Sequence, residues 1–321
     1  MPGSDGVRLQ RVPETVRTKL NETAQMRMLS PACSEIRFVS DRPTVRLTLS
    51  SEGWTDAVVF HGVFQSDRRF SITKETQTIE ITAPERLRQL SASLPPDMPF
   101  APNVFRIMMA GDAVHFHGME QDGIWPPRAE ELPGLRYLAY STSITHGGCA
   151  TGPHLAYVSQ TARRLGADLI NLGVSGSAHC EHELADYIAS REDWDIATLA
   201  LSVNMGEFSL EAFSERVSYM VNTVAGADTR RPVACITLYP YFDDLDTQDR
   251  KAHATGRRRS LRDAVAACPH PNVHLFEGPD ILSDLGGLTP DLIHPADNGM
   301  IQMGENLARK LRPLVDGLGE W

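Results

Sequence analysis

The sequence has no hydrophobic run long enough to cross a membrane, because no stretch approaches about 18 consecutive apolar residues. Basic residues are also few, with 31 Lys and Arg against 41 Asp and Glu, which gives a net charge of −10. A chain of this charge repels a phosphate backbone, so no nucleic-acid partner is expected. Residues 1–20 lack the apolar segment of a secretory signal. These absences predict a cytoplasmic protein with neither a nucleic-acid nor a membrane partner.

Cysteine is scarce, and no two cysteines form a C-x-x-C pair. The five positions are Cys33, Cys149, Cys180, Cys235 and Cys268. An odd count without paired spacing favours free thiols in a reducing compartment over a disulfide framework. His115 and His117 form an H-x-H pair that would share one face of a strand. No third ligand accompanies this pair in the sequence, so no metal site is predicted.

The first part of the chain carries short runs typical of β-strands. In Thr44–Ser50, for example, Val45, Leu47 and Leu49 alternate with polar residues. The other runs are 34–39, 57–65, 76–82 and 104–109. Period-two alternation between turn residues predicts an antiparallel sandwich. Prolines at 126, 127 and 133 mark its end.

After residue 133 the pattern changes to strand-like runs that alternate with helical segments. The strand-like runs are 135–140, 168–174, 196–203, 232–238 and 273–276, and the helical segments are 154–165, 183–191, 210–224, 248–267 and 298–311. This alternation predicts an α/β fold, a doubly wound parallel sheet with helices on both faces. We therefore expect an N-terminal extension at 1–20, a smaller all-β sandwich at 21–133 and an α/β domain at 134–321.

Four loops of the predicted α/β domain carry residues suited to chemistry. They hold Ser143 after the first strand, Gly176 after the second, Asn204 after the third, and Asp291 with His294 before the last helix. Each has an ordinary structural alternative, such as a helix cap, a turn glycine or a local hydrogen bond. The order of the four loops is more informative than any one residue, because the functional loops of a doubly wound sheet gather at the carboxyl ends of its strands.

With these blocks the sequence resembles the SGNH (GDSL-type) hydrolases over about residues 134–321. The first block, G-D-S-[IL]-[ST]-x-G, stands here as S-T-S-I-T-H-G from Ser141 to Gly147, with Ser141 and Thr142 in place of glycine and aspartate. The last block, D-x-x-H-P, stands as D-L-I-H-P from Asp291. Asn204 lacks the customary Gly-x-Asn-Asp setting. The β-rich segment resembles the jelly-roll or carbohydrate-binding-like domains that precede the hydrolase in some relatives.

The resemblance implies a serine-dependent carboxylic-ester hydrolase that works through an acyl-enzyme without a metal or organic cofactor. Ser143 would be the nucleophile, His294 the general base and Asp291 the residue that orients His294. The backbone N–H groups of Ser143 and Gly176 and the side chain of Asn204 would form the oxyanion hole. The expected substrate is a small-molecule acyl ester, such as an acylated sugar or a small metabolite.

Two other functions stay open. An acyltransferase of specialised-metabolite biosynthesis would use the same residues with an alcohol acceptor in place of water. A non-catalytic carbohydrate-binding protein is the second alternative, although the complete Ser, Gly, Asn, Asp and His set argues against it. The basic run Arg257–Arg259 is interpreted as a solvated helix face, because the chain as a whole is acidic.

Overall fold

Two antiparallel sheets form the first part of the molecule in the computed structural model, which describes residues 6–120 and 122–319. Their strands are β1 (Val7–Arg8), β2 (Glu35–Ser40), β3 (Thr44–Ser51), β4 (Thr55–His61), β5 (Phe64–Ile72), β6 (Gln77–Thr82), β7 (Val104–Gly111), β8 (Val114–Met119) and β9 (Ile124–Trp125). One sheet has the order β1-β8-β3-β6 and the other has the order β5-β4-β7-β2-β9. The predicted all-β segment is therefore confirmed as a pair of antiparallel sheets.

The alternation in β3 places its apolar side chains in the core of this β-rich part. Val45, Leu47 and Leu49 are fully buried, and they join Ile79 and Ile81 of β6 in the same hydrophobic cluster. Side chains on alternate positions of a strand point to one face, which is why the pattern was readable from the sequence.

One predicted strand in this region is wrong. The run 57–65 is not a single strand, because the chain turns after His61 and continues as β5. Gly62 makes the turn with φ of +57°, and a Cβ there would lie 2.7 Å from the carbonyl oxygen of Ala101. Glycine relieves both the backbone strain and the close contact. Apolar residues continue through the turn, so the pattern did not reveal it.

The second part of the molecule is a five-stranded parallel sheet flanked by helices. Its strands are β10 (Arg136–Tyr140), β11 (Asp168–Asn171), β12 (Ile196–Ala200), β13 (Val233–Ile236) and β14 (Val273–Phe276), in the order β11-β10-β12-β13-β14. The helices of the chain are α1 (Glu14–Arg17), α2 (Glu22–Arg27), α3 (Glu85–Leu90), α4 (Ser143–His146), α5 (Tyr157–Leu165), α6 (His182–Ser190), α7 (Leu210–Ala227), α8 (Phe242–Leu245), α9 (Gln248–Ala267), α10 (Gly278–Ile281) and α11 (Asp297–Asp316). Within the described ranges, none of these helices combines the length and the apolar character that a membrane span requires.

Both faces of this sheet are covered, as the sequence predicts. Leu138 and Tyr140 of β10 belong to a core cluster with residues of α6, α7 and α9. Tyr137 and Ala139 of the same strand belong to the opposite cluster, with residues of α5 and α11. A strand that is apolar on both faces is typical of a doubly wound sheet. The predicted α/β fold is thus confirmed.

The strand order creates a crevice at one place in the sheet. The chain passes from β10 to β11 on one side and then crosses to β12 on the other side, so the loops after β10 and β12 run apart. Such a switch point, at the carboxyl ends of the strands, is where ligands bind in open α/β sheets. The fold therefore directs attention to the loops that follow β10 and β12.

The segment between β1 and β2 packs against the α/β part. Val12, Leu20 and Met28 are buried in the same cluster as the sheet residue Leu138 and the helix residue Leu184. The predicted domain boundaries, 1–20, 21–133 and 134–321, stay predictions, and residues 1–5, 121, 320 and 321 of those ranges lie outside the described residues.

Candidate active site

Ser143 lies at the carboxyl end of β10, at the first position of the short helix α4. The side chain of Thr142 caps this helix by accepting a hydrogen bond from the Ile144 N–H at 3.4 Å. Gly147 ends the helix with φ of +104°, a conformation that glycine adopts readily. Ser141 does not face the same space, because its hydroxyl donates to the Ala200 carbonyl. The hydroxyl available in this loop is therefore that of Ser143.

A continuous chain of hydrogen bonds links Ser143, His294 and Asp291. Ser143 Oγ lies 2.8 Å from His294 Nε2, and His294 Nδ1 lies 2.7 Å from Asp291 Oδ2. Ser143 is only 6 % exposed, whereas the His294 side chain is 25 % exposed and that of Asp291 is 44 % exposed. Ser143 is thus buried, whereas the imidazole and the carboxylate are partly exposed to solvent.

The loop before α11 fixes the carboxylate of Asp291 through its other oxygen. Oδ1 accepts hydrogen bonds from the Thr289 hydroxyl at 2.7 Å and from the backbone N–H groups of Ile293 and His294, both at 2.9 Å. Burial raises the pKa of Asp291, but the hydrogen bonds from His294, Ile293 and Thr289 outweigh it and hold this pKa well below its usual range.

The ionised carboxylate determines which ring nitrogen of His294 carries the proton. A carboxylate can only accept, so Nδ1 of the neutral imidazole donates to Asp291. Nε2 then has a free lone pair and accepts from the Ser143 hydroxyl. This arrangement is the one required for His294 to take a proton from Ser143.

Hydrogen bonds connect the loop of Gly176 both to the loop of Ser143 and to the loop of Asn204. The Val174 N–H donates to the Ser141 carbonyl at 2.7 Å, and the Ala178 N–H donates to Asn204 Oδ1 at 3.3 Å. The second bond identifies the oxygen of the Asn204 amide, so Nδ2 is directed elsewhere. In the part of the chain that the structure describes, no acceptor pairs with Asn204 Nδ2 or with the N–H groups of Ser143 and Gly176. Three donors are therefore available for a ligand.

The interpretation of the basic run as a solvated face is wrong for two of its three residues. Arg258 is 9 % exposed, pairs with Asp244 at 2.5 Å and donates to the Leu238 carbonyl at 3.0 Å. Arg257 is 3 % exposed and donates to the Gly206 carbonyl, two residues after Asn204. Only Arg259 is solvated, with 81 % of its side chain exposed. The tertiary structure supplied partners that overall charge could not predict.

Sequence reasoning missed two residues that contact the chain of hydrogen bonds. A Cβ at Gly148 would lie 3.1 Å from the Ser143 carbonyl oxygen, a tight contact, and 3.5 Å from both Ser143 Cβ and His294 Cδ2. Thr289 holds Asp291 through its hydroxyl. Thr289 had a readable signal, because hydroxyl and carboxylate side chains two residues apart commonly bond within a turn. Gly148 had none, since its contact with His294 depends on another loop.

The H-x-H pair binds neighbouring polar side chains instead of gathering metal ligands. His117 Nε2 lies 2.8 Å from Ser50 Oγ, and His115 Nε2 lies 3.4 Å from Glu52 Oε1. In residues 6–120 and 122–319, the group of ligand-type side chains with metal-like spacing lies elsewhere, at Cys149, Asp291 and His294.

A family profile for the GDSL-like lipase/acylhydrolase family matches residues 136–312. This match covers more than half of the chain and contains the loops of Ser143, Asn204 and His294. The chain belongs to this family and is an enzyme of the serine esterase or acyltransferase type. A search of the curated proteins finds no match.

Solved structures share the whole architecture at low sequence identity. A protein from Bacteroides ovatus described as a GDSL-like lipase superposes with a TM-score of 0.73 at 15% identity, over 98% of this chain and 97% of its own. The salicylyl-acyltransferase SsfX3 from a tetracycline biosynthetic pathway gives 0.74 at 14% identity, over 96% and 90%. A family two carbohydrate esterase from Clostridium thermocellum, in complex with cellohexaose, gives 0.59 at 15% identity, over 88% and 92%.

Proposed function

We propose that this protein is a carboxylic-ester hydrolase that cleaves an acylated sugar or another small acyl ester through a serine-bound intermediate. The observation that carries the proposal is the chain of hydrogen bonds from Ser143 through His294 to Asp291. A serine hydroxyl is a weak nucleophile at neutral pH, and an adjacent oriented base is what activates it. The hydrogen bonds of His294 to Ser143 and to Asp291 support the roles of base and orienting residue proposed for His294 and Asp291.

In the proposed reaction Ser143 Oγ attacks the ester carbonyl carbon while His294 Nε2 accepts the hydroxyl proton. Collapse of the tetrahedral intermediate breaks the bond to the alcohol oxygen, which takes that proton from His294 as it leaves. Water then attacks the acyl-enzyme with His294 again as base, which releases the acid and restores Ser143. Throughout, Asp291 stays ionised and stabilises the imidazolium, consistent with the low pKa of this carboxyl group.

The oxyanion of the tetrahedral intermediate would bind the three donors that have no acceptor among the described residues. These are the N–H groups of Ser143 and Gly176 and the Nδ2 of Asn204. Gly176 suits this role because its φ of +75° and the open space around its Cβ position let a ligand approach the backbone closely. Donors already oriented in the ground state stabilise developing negative charge without reorganising.

The substrate class rests on the solved structures that share the fold. One of them is a carbohydrate esterase in complex with cellohexaose, and another is a salicylyl-acyltransferase. Acyl transfer to an alcohol is the second candidate, since it uses the same residues and Ser143 is shielded from water at 6 % exposure.

The five cysteines are all unpaired, which supports a reducing, cytoplasmic location.

An assay with p-nitrophenyl acetate, with and without added sugars or alcohols, tests the proposal. A hydrolase releases p-nitrophenol steadily in water alone, and the acceptors change this rate little. A transferase releases it quickly only with an acceptor, and the acylated acceptor is then detectable by mass spectrometry. Complete lack of turnover and of a serine adduct, in protein that still binds carbohydrate, would support the non-catalytic alternative.

Asn204→Ala removes one proposed oxyanion donor, and we expect kcat to fall on the order of a hundred- to a thousandfold. KM should change little, because the lost hydrogen bond strengthens only in the transition state. Asn222→Ala is a suitable control, since Asn222 lies on α7 and bonds only within its own helix. A normal kcat with a raised KM would make Asn204 a substrate-binding residue instead.

A further inference from the structure

A thiol lies beside the Asp291–His294 pair. The sulfur of Cys149, a carboxylate oxygen of Asp291 and a ring nitrogen of His294 all lie within 4.8 Å of one another. Cys149 belongs to the loop after α4, whereas the other two residues belong to the loop before α11. Folding therefore brings together three different ligand types, one sulfur, one nitrogen and one oxygen, that no single sequence motif contains.

The backbone on both sides of Cys149 is anchored. The Gly148 N–H donates to the Ser143 carbonyl at 2.8 Å, and the N–H and hydroxyl of Thr151 donate to Asp297 at 2.8 and 2.6 Å. Cys149 itself has φ of +67°, a region that non-glycine residues adopt rarely. The thiol is exposed to solvent, so an ion can reach it directly.

The donor set matches the preferences of zinc. Zn²⁺ binds thiolate, imidazole and carboxylate at about 2.0–2.3 Å in tetrahedral geometry, which places the ligand atoms about 3.5 Å from one another. Rotation of the exposed Cys149 side chain about its Cα–Cβ bond can close the remaining gap, and water can supply the fourth ligand. Mg²⁺ and Ca²⁺ prefer six or more oxygen ligands and do not fit this set.

We propose that Cys149, Asp291 and His294 form an inhibitory site for Zn²⁺ at the mouth of the active site. Binding displaces the thiol proton of Cys149 to solvent. The ion takes His294 Nδ1, the nitrogen that lies 2.7 Å from the Asp291 carboxylate, and the proton of Nδ1 moves to Nε2. With zinc on Nδ1 and a proton on Nε2, His294 can no longer act as the base, so hydrolysis stops while zinc is bound.

The inhibition rests on the proposed function of His294, but the binding of the metal does not. The two are measured separately on the full chain, with zinc chloride as the added metal in the binding and inhibition measurements. Isothermal calorimetry gives the stoichiometry and affinity of zinc. Release of p-nitrophenol from p-nitrophenyl acetate gives the inhibition, and added EDTA tests whether it is reversible. Cobalt in place of zinc adds a spectroscopic readout, because a thiolate ligand produces a charge-transfer absorption.

The wild-type protein should bind one zinc ion and lose its activity reversibly. Cys149→Ala should keep the uninhibited rate. It should bind zinc at least about tenfold more weakly and resist inhibition to the same extent, since loss of a residue that only hydrogen-bonds to a metal ligand already lowers metal affinity by about that much. Cys268→Ala is the matched control, a partly exposed thiol far along the chain, and should retain wild-type sensitivity. Cys149→Ser keeps the shape of the side chain and serves if the alanine variant is poorly folded.

Equal inhibition of the wild-type and Cys149→Ala proteins would overturn the proposal, as would wild-type protein that binds no zinc or shows no thiolate band with cobalt. Wild-type protein without esterase activity would instead count against the proposed function. Calorimetry on the wild-type, Cys149→Ala and His294→Ala proteins would then still decide the metal site, because zinc binding must weaken in both variants.

Discussion

Ser143→Ala should lower kcat by about a thousandfold or more, because it removes the covalent route through the acyl-enzyme. The hydroxyl makes its hydrogen bond to His294 at 2.8 Å, so its loss deprives the base of its proton donor without disturbing the packing of α4. We expect the melting temperature to stay close to that of the wild-type protein. Steady-state kinetics and a thermal melt on the same preparation check both statements.

Ser141→Ala is the matched control for this substitution. Ser141 is two residues away in the same loop and is equally buried, yet its hydroxyl bonds to the Ala200 carbonyl and not to His294. It should therefore cost far less activity than Ser143→Ala. A serine-directed phosphonate should form one adduct, on the peptide that contains Ser143. An adduct on Ser141 or Ser175 would remove Ser143 from the role of nucleophile.

Asp291→Asn should lower kcat on the order of a thousand- to ten-thousandfold, because the hydrogen bonds around Asp291 would then favour the wrong tautomer of His294. Oδ1 of Asp291 receives three donors, from Thr289, Ile293 and His294, so the oxygen of an asparagine amide must occupy that position. The NH₂ group then faces His294 Nδ1 and donates to it. Nδ1 becomes the acceptor, Nε2 carries the proton, and His294 cannot accept from Ser143.

The competing interpretation is that Asp291 only stabilises the turn before α11. The three bonds to Oδ1 do stabilise that turn, and asparagine retains them, so this substitution separates the two roles. Full kcat in the Asp291→Asn variant, with its melting temperature measured on the same sample, would exclude Asp291 from the mechanism. Because the pKa of Asp291 is held well below its usual range, the carboxylate is ionised across the ordinary assay range, and its own titration cannot mimic the effect.

Much of the fold was readable because the relevant patterns are local. In β3 apolar residues alternate, because one face of the strand packs against a core. The strands of the parallel sheet are apolar on both faces, because a core lies on each side of them. The Asp291–His294 contact is also local, since the partners are three positions apart and one turn can join them. The order of the loops then placed Ser143, Gly176 and Asn204 at one edge of the sheet.

Contacts between distant segments depended on how the strands assemble. Ser143 and His294 are 151 positions apart, and their bond forms because the loop before α11 reaches the carboxyl end of β10, an inner strand of the sheet. Arg258 found Asp244 and two backbone carbonyls, which turned an expected surface charge into a buried support of the loop after β13.

The sequence by itself determined the class of fold, the order of the loops that carry Ser, Gly, Asn, Asp and His, and the candidate residues for the reaction. Only the tertiary structure decided the turn at Gly62, the burial of Arg257 and Arg258, and the approach of Cys149 to Asp291 and His294. The physical reason is that periodicity records which face of an element is buried, whereas it contains no record of which distant loop will lie beside it.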